Sequence, residues 1–380
     1  MKKDISEKSV VTNNRNKIAM IVTWCDADVV VNYGQVLQSC AMAMAVSKLG
    51  YKRVMLVSYR ERNIRLLWDY YYHHFNPFLN SFKASCLTRE MIKRIMSETK
   101  VEFYQLFRKE QVEKLAMQAD VLICGSDQIW HPCEYNRVLF LDMGRPDAER
   151  IAYAASQPMG RIYPEYRQVF RKMEKHLKEF NAISIREKGN IPMFEQMSGK
   201  RVENVVDPTL LFTKNEWRKY EKRIDIPEKY ILLYIPAQLN RLAEAVLREL
   251  QKKTGIKQVV CLAPRCNTKI PNVTYYNSIG TPQFLFLVRN AAYVCTSSFH
   301  GVIFSIIMEK EFWCYKWRFV DRRSDLRLDQ ITEISGLEER LIDTPKKINI
   351  NKKIDYTEVK NKLQPMINRS YEFLKKNYCD

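Results

Sequence analysis

Short apolar, β-branched runs recur along the chain, separated by longer stretches whose apolar positions return every three or four residues. The first pattern is that of strands buried on both faces and the second that of amphipathic helices. Their alternation predicts α/β layering on mostly parallel sheets. A first series opens at Lys17–Trp24 and continues, after a polar loop, into a helix from Tyr33-Gly34-Gln35 to about Leu49, with Gly50 as its stop. Arg53–Tyr59, Asp120–Gly125, Ile151–Ala155 and Ala182–Ile185 complete a first sheet, while the aromatic-rich segment Asn63–Thr99 reads only as helical or irregular. A second series runs through Tyr230–Ile235, Gln258–Leu262, Val273–Tyr276, Ala291–Thr296 and Glu311–Tyr315. The two series meet around Thr213–Glu228, a charged segment containing Pro227, which predicts domains over 1–215 and 216–380 with a cleft between them. Residues 1–16 lack the apolar core of a signal peptide and are expected to form a mobile arm. Tyr356–Tyr378 reads as a long terminal helix able to pack back across either domain.

Composition narrows the class. A chain of 380 residues is long for a single core, and 46% hydrophobic with 12% aromatic residues excludes a disordered polymer. The longest apolar candidate for a membrane span, Phe284–Ile307, is broken by Arg289, Asn290, the stretch Thr296–Ser298 and His300. The ten cysteines are scattered without paired metal spacing, which predicts reduced thiols and a cytoplasmic protein. No two of the five histidines stand at HxxxH spacing, so no metal and no cofactor are expected. The net charge of +19 calls for an anionic partner. Anionic small substrates and the anionic cytoplasmic face of a membrane fit it; nucleic acid does not, because no basic run is interleaved with aromatics.

The most informative stretch is Ser297–Ile306. A strand ends before it and a buried helix begins within it, so His300-Gly301 stands at a strand-to-helix turn. Unpaired backbone N–H groups gather there above the carboxyl edge of the sheet and favour an anion. An imidazole beside such a cradle suits chemistry on a phosphorylated substrate, although a core or capping histidine gives the same local pattern.

Seven pieces, in order, extend this reading: NYGQVLQSCAMAMAVSKLGY (Asn32–Tyr51), VLICGSDQIWHP (Val121–Pro132), IAYAAS (Ile151–Ser156), ISIREKG (Ile183–Gly189), VVDPTLLF (Val205–Phe212), TSSFHGVIFSI (Thr296–Ile306) and SDLRLDQITEISGLEER (Ser324–Arg340). Their order resembles the polysaccharide pyruvyl transferase family. The resemblance implies two Rossmann-like domains facing a cleft, arranged as in GT-B glycosyltransferases. It also implies transfer of a pyruvyl group from phosphoenolpyruvate to two hydroxyls of one sugar, giving a cyclic ketal and phosphate. The acceptor expected is a hexose of a bacterial-type surface polysaccharide or its polyprenyl-linked precursor. The enzyme is then expected in the cytoplasm, peripheral at the inner membrane face. Two positions depart from the family pattern. Ser298-Phe299 stand where many members have Arg-Leu, and Gly34-Gln35 where many have Gly-Asp.

Within that frame His300 is the expected acid or phosphate-binding group, with Ser298 and Gly301 beside it at the donor. Arg186 follows the strand Ile183–Ile185, and its planar guanidinium suits a carboxylate or phosphate; pairing with Glu187 is the structural alternative. Arg265, Arg318, Arg322 and Arg323 form the pool from which a substitute for the family's missing arginine is drawn. The acceptor side is assigned to Asn32, Tyr33, Gly34 and Gln35 and to Ser126, Gln128 and Trp130. Asp127 is expected to contact or deprotonate an acceptor hydroxyl, and Trp130 with His131 to offer an apolar platform to a sugar face, core packing being the alternative. Asp207-Pro208-Thr209 reads as a structural turn at the domain junction. Two other classes compete: a GT-B-type glycosyltransferase using a nucleotide sugar, and a non-catalytic basic protein binding anionic polymer or membrane.

Overall fold

The computed structural model describes residues 16–27, 32–60, 78–236, 240–263, 270–276, 278–316 and 326–378. Seven parallel strands form the first sheet: β1 (Ile18–Thr23), β2 (Arg53–Tyr59), β3 (Val101–Leu106), β4 (Val121–Cys124), β5 (Glu149–Ala155), β6 (Ala182–Ile185) and β7 (Val202–Asn204), in the order β3-β2-β1-β4-β5-β6-β7. The order reverses between β1 and β4, the place where open α/β sheets bind their ligands. The helices of this half are α1 (Tyr33–Ser47), α2 (Phe78–Thr99), α3 (Lys109–Ala116), α4 (Arg167–Leu177), α5 (Ile191–Ser198) and α6 (Lys214–Arg218). The central strands are almost wholly apolar and buried, as crossover helices on both faces require.

Five parallel strands form the second sheet, in the order β10-β9-β8-β11-β12: β8 (Ile231–Tyr234), β9 (Val259–Leu262), β10 (Val273–Tyr275), β11 (Tyr293–Thr296) and β12 (Phe312–Cys314). With them go α7 (Arg241–Thr254), α8 (Thr281–Asn290), α9 (Phe299–Ile307), α10 (Leu326–Ser335) and α11 (Tyr356–Tyr378). One apolar cluster runs from the α1 face of the first sheet through Phe284 and Phe304 to Leu232 and Tyr234 of the second. The α1 helix therefore lacks a polar face; every residue from Tyr33 to Val46 is buried. The chain crosses back at its last helix, where Ser370 Oγ accepts from Val206 N (2.9 Å) and Tyr371 Oη donates to the Leu211 carbonyl (2.5 Å).

Two strands were not legible in the hydrophobic pattern. β3 reads VEFYQL and is half-buried along most of its length, because it lies at the sheet edge. β7 has three residues at the opposite edge. Only the helical part of Asn63–Thr99 from Phe78 onward, α2, is described. No helix among the described residues is long and apolar enough to cross a membrane. The described cysteines are free thiols.

Candidate active site

The two sheets turn their carboxyl edges toward each other, and the polar groups between them converge on Asp207. After β7 the chain enters a 3-10 turn, Pro208–Leu211, with proline at its start. Asp207 Oδ1 caps that turn, accepting from Thr209 N (3.1 Å) and Thr209 Oγ1 (2.6 Å). Its other oxygen, Oδ2, faces the cleft and accepts from Arg186 Nη1 (2.6 Å) and Ser126 Oγ (3.3 Å). His300 Nε2, from the second domain, stands 3.4 Å from the same oxygen. Burial works against the Asp207 charge, but His300, Arg186 and Thr209 together hold its carboxyl well below the usual range.

Arg186 leaves the end of β6 and is 4% exposed, so its charge must be paired. Nη1 bonds Asp207 and Nε bonds Glu187 (3.2 Å). The guanidinium lies 4.1 Å from the centroid of the Phe299 ring, which reaches it from α9 of the second domain. Nη2 is buried and has no hydrogen-bond partner. Arg186, Asp207, Phe299 and Arg327 line a small pocket that opens to solvent, with Ile331 and Met366 on its apolar side. Glu187 is fully buried, accepting from Ser156 Oγ (2.7 Å) and Gln157 N (3.1 Å); burial pushes its carboxyl up despite Arg186 beside it. From the second half, Gln330 of α10 donates to the Arg186 carbonyl (2.6 Å) and to Asn204 Oδ1 (3.1 Å).

His300 sits in the first turn of α9. Ser298 is its N-cap, accepting from Gly301 N (3.2 Å), while Ser298 N donates to Thr296 Oγ1 (3.0 Å). A side chain at Gly301 would fall 2.3 Å from Thr296 Oγ1, so this turn requires glycine for close packing. The imidazole lies against Gly34 in the first turn of α1, with Nδ1 on that side and Nε2 toward Asp207. Tyr33 stacks on Phe284 (4.6 Å between centroids) and lies 5.7 Å from Tyr234. Two helix N-termini, one from each domain, thus meet at a histidine, an aspartate and an arginine. Such an assembly can hold an anion and pass a proton.

The sequence profile described as Polysaccharide pyruvyl transferase matches residues 32–318. The chain belongs to that family. It is accordingly a transferase of polysaccharide biosynthesis, with a reaction of the pyruvyl-transfer type. Among solved structures it is similar to a protein from Listeria monocytogenes described as a UDP-N-acetylglucosamine 2-epimerase, at a TM-score of 0.50 and 10% identity over 95% of this chain and 91% of that one. It is also similar to MnaA of S. aureus with UDP (TM-score 0.47, 12% identity, 96% and 93% covered). The Listeria likeness shows the fold alone, a GT-B-like pair of Rossmann-type domains. No curated protein matches the chain in sequence.

Several positions expected to serve the transferase's substrates have other work. Trp130 is fully buried, stacked on Phe140 (5.5 Å) and packed against Phe194 (5.1 Å) and Phe180 (5.7 Å); it is core and offers no face to a sugar. His131 caps the turn at Pro132 by accepting from Cys133 N (3.2 Å). Ser126 is also fully buried and bonds the Ala154 carbonyl (3.1 Å) and Asp207, so it supports the carboxylate and does not meet an acceptor directly. Gln128 beside it is half-exposed. Asp127 accepts from Gln128 N (2.9 Å) and holds a left-handed backbone, φ 87°, while its carbonyl accepts from Ser156 N (3.0 Å). A non-glycine residue in that region costs about 1–3 kcal/mol, and such positions cluster at functional sites.

On α1, Tyr33, Gly34 and Gln35 are buried at the interface between the domains, with Asn32 half-buried before them. Arg265, Arg318, Arg322 and Arg323 lie outside the described residues. Asp207 was read from the sequence as a turn residue only. It does cap the turn, but its second oxygen is the junction of the charge network. The signal was its place just past the carboxyl end of a strand, the edge at which Arg186 and Asp127 were picked out. Among the described residues no group of three His, Cys, Asp or Glu side chains is arranged to hold a metal.

Proposed function

We propose that this transferase takes the pyruvyl group from phosphoenolpyruvate and places it on two hydroxyls of one sugar, forming a cyclic ketal and releasing phosphate. The carrying observation is the buried, unpartnered Arg186 Nη2 in the same network as His300, joined through Asp207. An arginine with a free donor suits a carboxylate or phosphate, and the N-termini of α1 and α9 add to the attraction for an anion.

In this reading His300 gives a proton to the methylene carbon of the enol, and cationic character develops at C2. The first sugar hydroxyl attacks C2 and loses its proton to the site, Asp127 being the base assigned to it. Phosphate then leaves with the C–O bond electrons, and the second hydroxyl closes the ring, its proton leaving with the phosphate. Asn32, Gln35 and Gln128 are the polar groups assigned to the acceptor, with Ser298 and Gly301 at the donor. The net charge of +19 supports work at an anionic inner-leaflet surface on a polyprenyl-linked sugar, from the cytoplasmic side.

The test is phosphate release from phosphoenolpyruvate with a panel of glycosides, beside a thermal-shift comparison of phosphoenolpyruvate with UDP- and GDP-sugars. Stabilisation and turnover with phosphoenolpyruvate support the reading. Stabilisation by nucleotide sugars alone replaces it with glycosyl transfer.

A further inference from the structure

We infer that Asp207 is the positioning residue of His300, fixing the imidazole with its Nε2–H toward the carboxylate and leaving Nδ1 as the nitrogen that exchanges a proton with substrate. The roles of the two ring nitrogens follow from the reading above, but the orientation itself rests on geometry alone. Asp207 divides its work between its oxygens. Oδ1 is taken up locally by Thr209, and Oδ2 is directed across the domain boundary at His300 Nε2, 3.4 Å away.

Nε2 is buried and makes no hydrogen bond meeting ordinary geometry, so 3.4 Å is a contact still to be drawn in. Catalytic hydrogen bonds are often long in ligand-free sites and shorten when the reacting complex forms. Arg186 Nη1 and Ser126 Oγ hold Oδ2 in place from the first domain, which fixes the acceptor while the imidazole arrives with the second. A carboxylate behind one ring nitrogen selects the tautomer and steadies the imidazolium. Since the two residues come from opposite domains, the imidazole is oriented only when the halves are together.

The decisive measurement is the ¹⁵N spectrum of the His300 imidazole in the full chain, assigned by comparison with His300→Gln. The neutral ring should carry its proton on Nε2. In Asp207→Asn that preference should be lost, and turnover should fall about 10²–10⁴-fold, the range for a single acid–base contribution. Thr209→Val removes the hydroxyl contact on Oδ1 and keeps the backbone one, so it should lower the melting temperature yet leave the tautomer unchanged. A wild-type ring protonated on Nδ1 overturns the assignment, as does an Asp207→Asn protein with the wild-type tautomer and turnover within threefold. If Asp207→Asn does not fold, the wild-type spectrum decides alone. Because the spectrum needs no donor, a failed phosphoenolpyruvate assay leaves this result standing and counts only against the proposed reaction.

Discussion

A β-carbon on Gly34 would fall 2.0 Å from Nδ1 and 2.2 Å from Cγ of His300. The first turn of one domain's helix and the first turn of the other's are therefore in contact through a missing side chain. Gly34→Ala should displace the imidazole or part the domains. Overpacking of this kind costs about 1–3 kcal/mol, against which alanine returns up to about 1 kcal/mol of helix propensity. Turnover should drop at least tenfold with a small loss in melting temperature. Unchanged turnover would show that the imidazole has room to move without consequence.

His300→Ala should abolish transfer with the fold kept. Asp207 retains Arg186, Ser126 and Thr209, so no buried charge is stranded. A fall of about 10²–10⁴ in kcat is expected, read alongside a melting curve. Activity near wild type, or loss of fold with no separate catalytic defect, removes His300 from the chemistry.

Arg186→Lys keeps the charge but loses geometry. One guanidinium bonds Glu187 and Asp207 and stacks on Phe299, and an ammonium cannot do all three. Breaking such a buried pairing costs about 3–5 kcal/mol when a charge is left unmatched; retained charge should hold the loss below that range. The kcat/KM for phosphoenolpyruvate should fall by more than tenfold. A value equal to wild type would make the arginine structural.

Trp130→Ala separates core from site. Emptying the pocket among Phe140, Phe180 and Phe194 should cost about 3–5 kcal/mol. In whatever fraction remains folded, KM for the acceptor should be unaltered. An acceptor-specific defect with normal stability would restore the sugar-platform role.

Anionic vesicles should bind the protein at low salt and release it at high salt, since each basic residue near such a surface contributes about 1 kcal/mol and screening acts over about 8–10 Å. Co-sedimentation with anionic and neutral lipids measures this. Equal binding to both, or none, would leave the charge of +19 to be explained by the substrates.

The strands at the centre of both sheets were legible because burial on two faces leaves uninterrupted apolar runs, as in Ile18–Thr23 and Ile231–Tyr234. β3 and β7 were not, since an edge strand needs only half of that pattern. In the site, His300, Arg186 and Asp127 stood out by a rule of position, the carboxyl ends of strands. Trp130 stands at a similar position, and the sequence leaves platform and core both open, because it does not say on which side of a loop a ring falls; burial decides for core. Asp207 looked like an ordinary capping residue since its local bonds are those of a cap. What distinguishes it is a partner from the other domain, 93 positions along the chain, and nothing local records that.

The bond between Val206 and Ser370 spans 164 residues of sequence. The stretch that carries Asp207 is thus made long before the helix that ties it down. During synthesis the first seven-stranded sheet can close while its charge network still lacks both the histidine and the outer strap. The emerging polypeptide passes through a period in which Arg186 and Asp207 have only each other and near neighbours such as Glu187, Ser126 and Thr209 for partners. A nascent chain of this transferase can be folded in its first half and yet remain chemically silent, gaining its proton donor and its final brace only after the second half has left the ribosome.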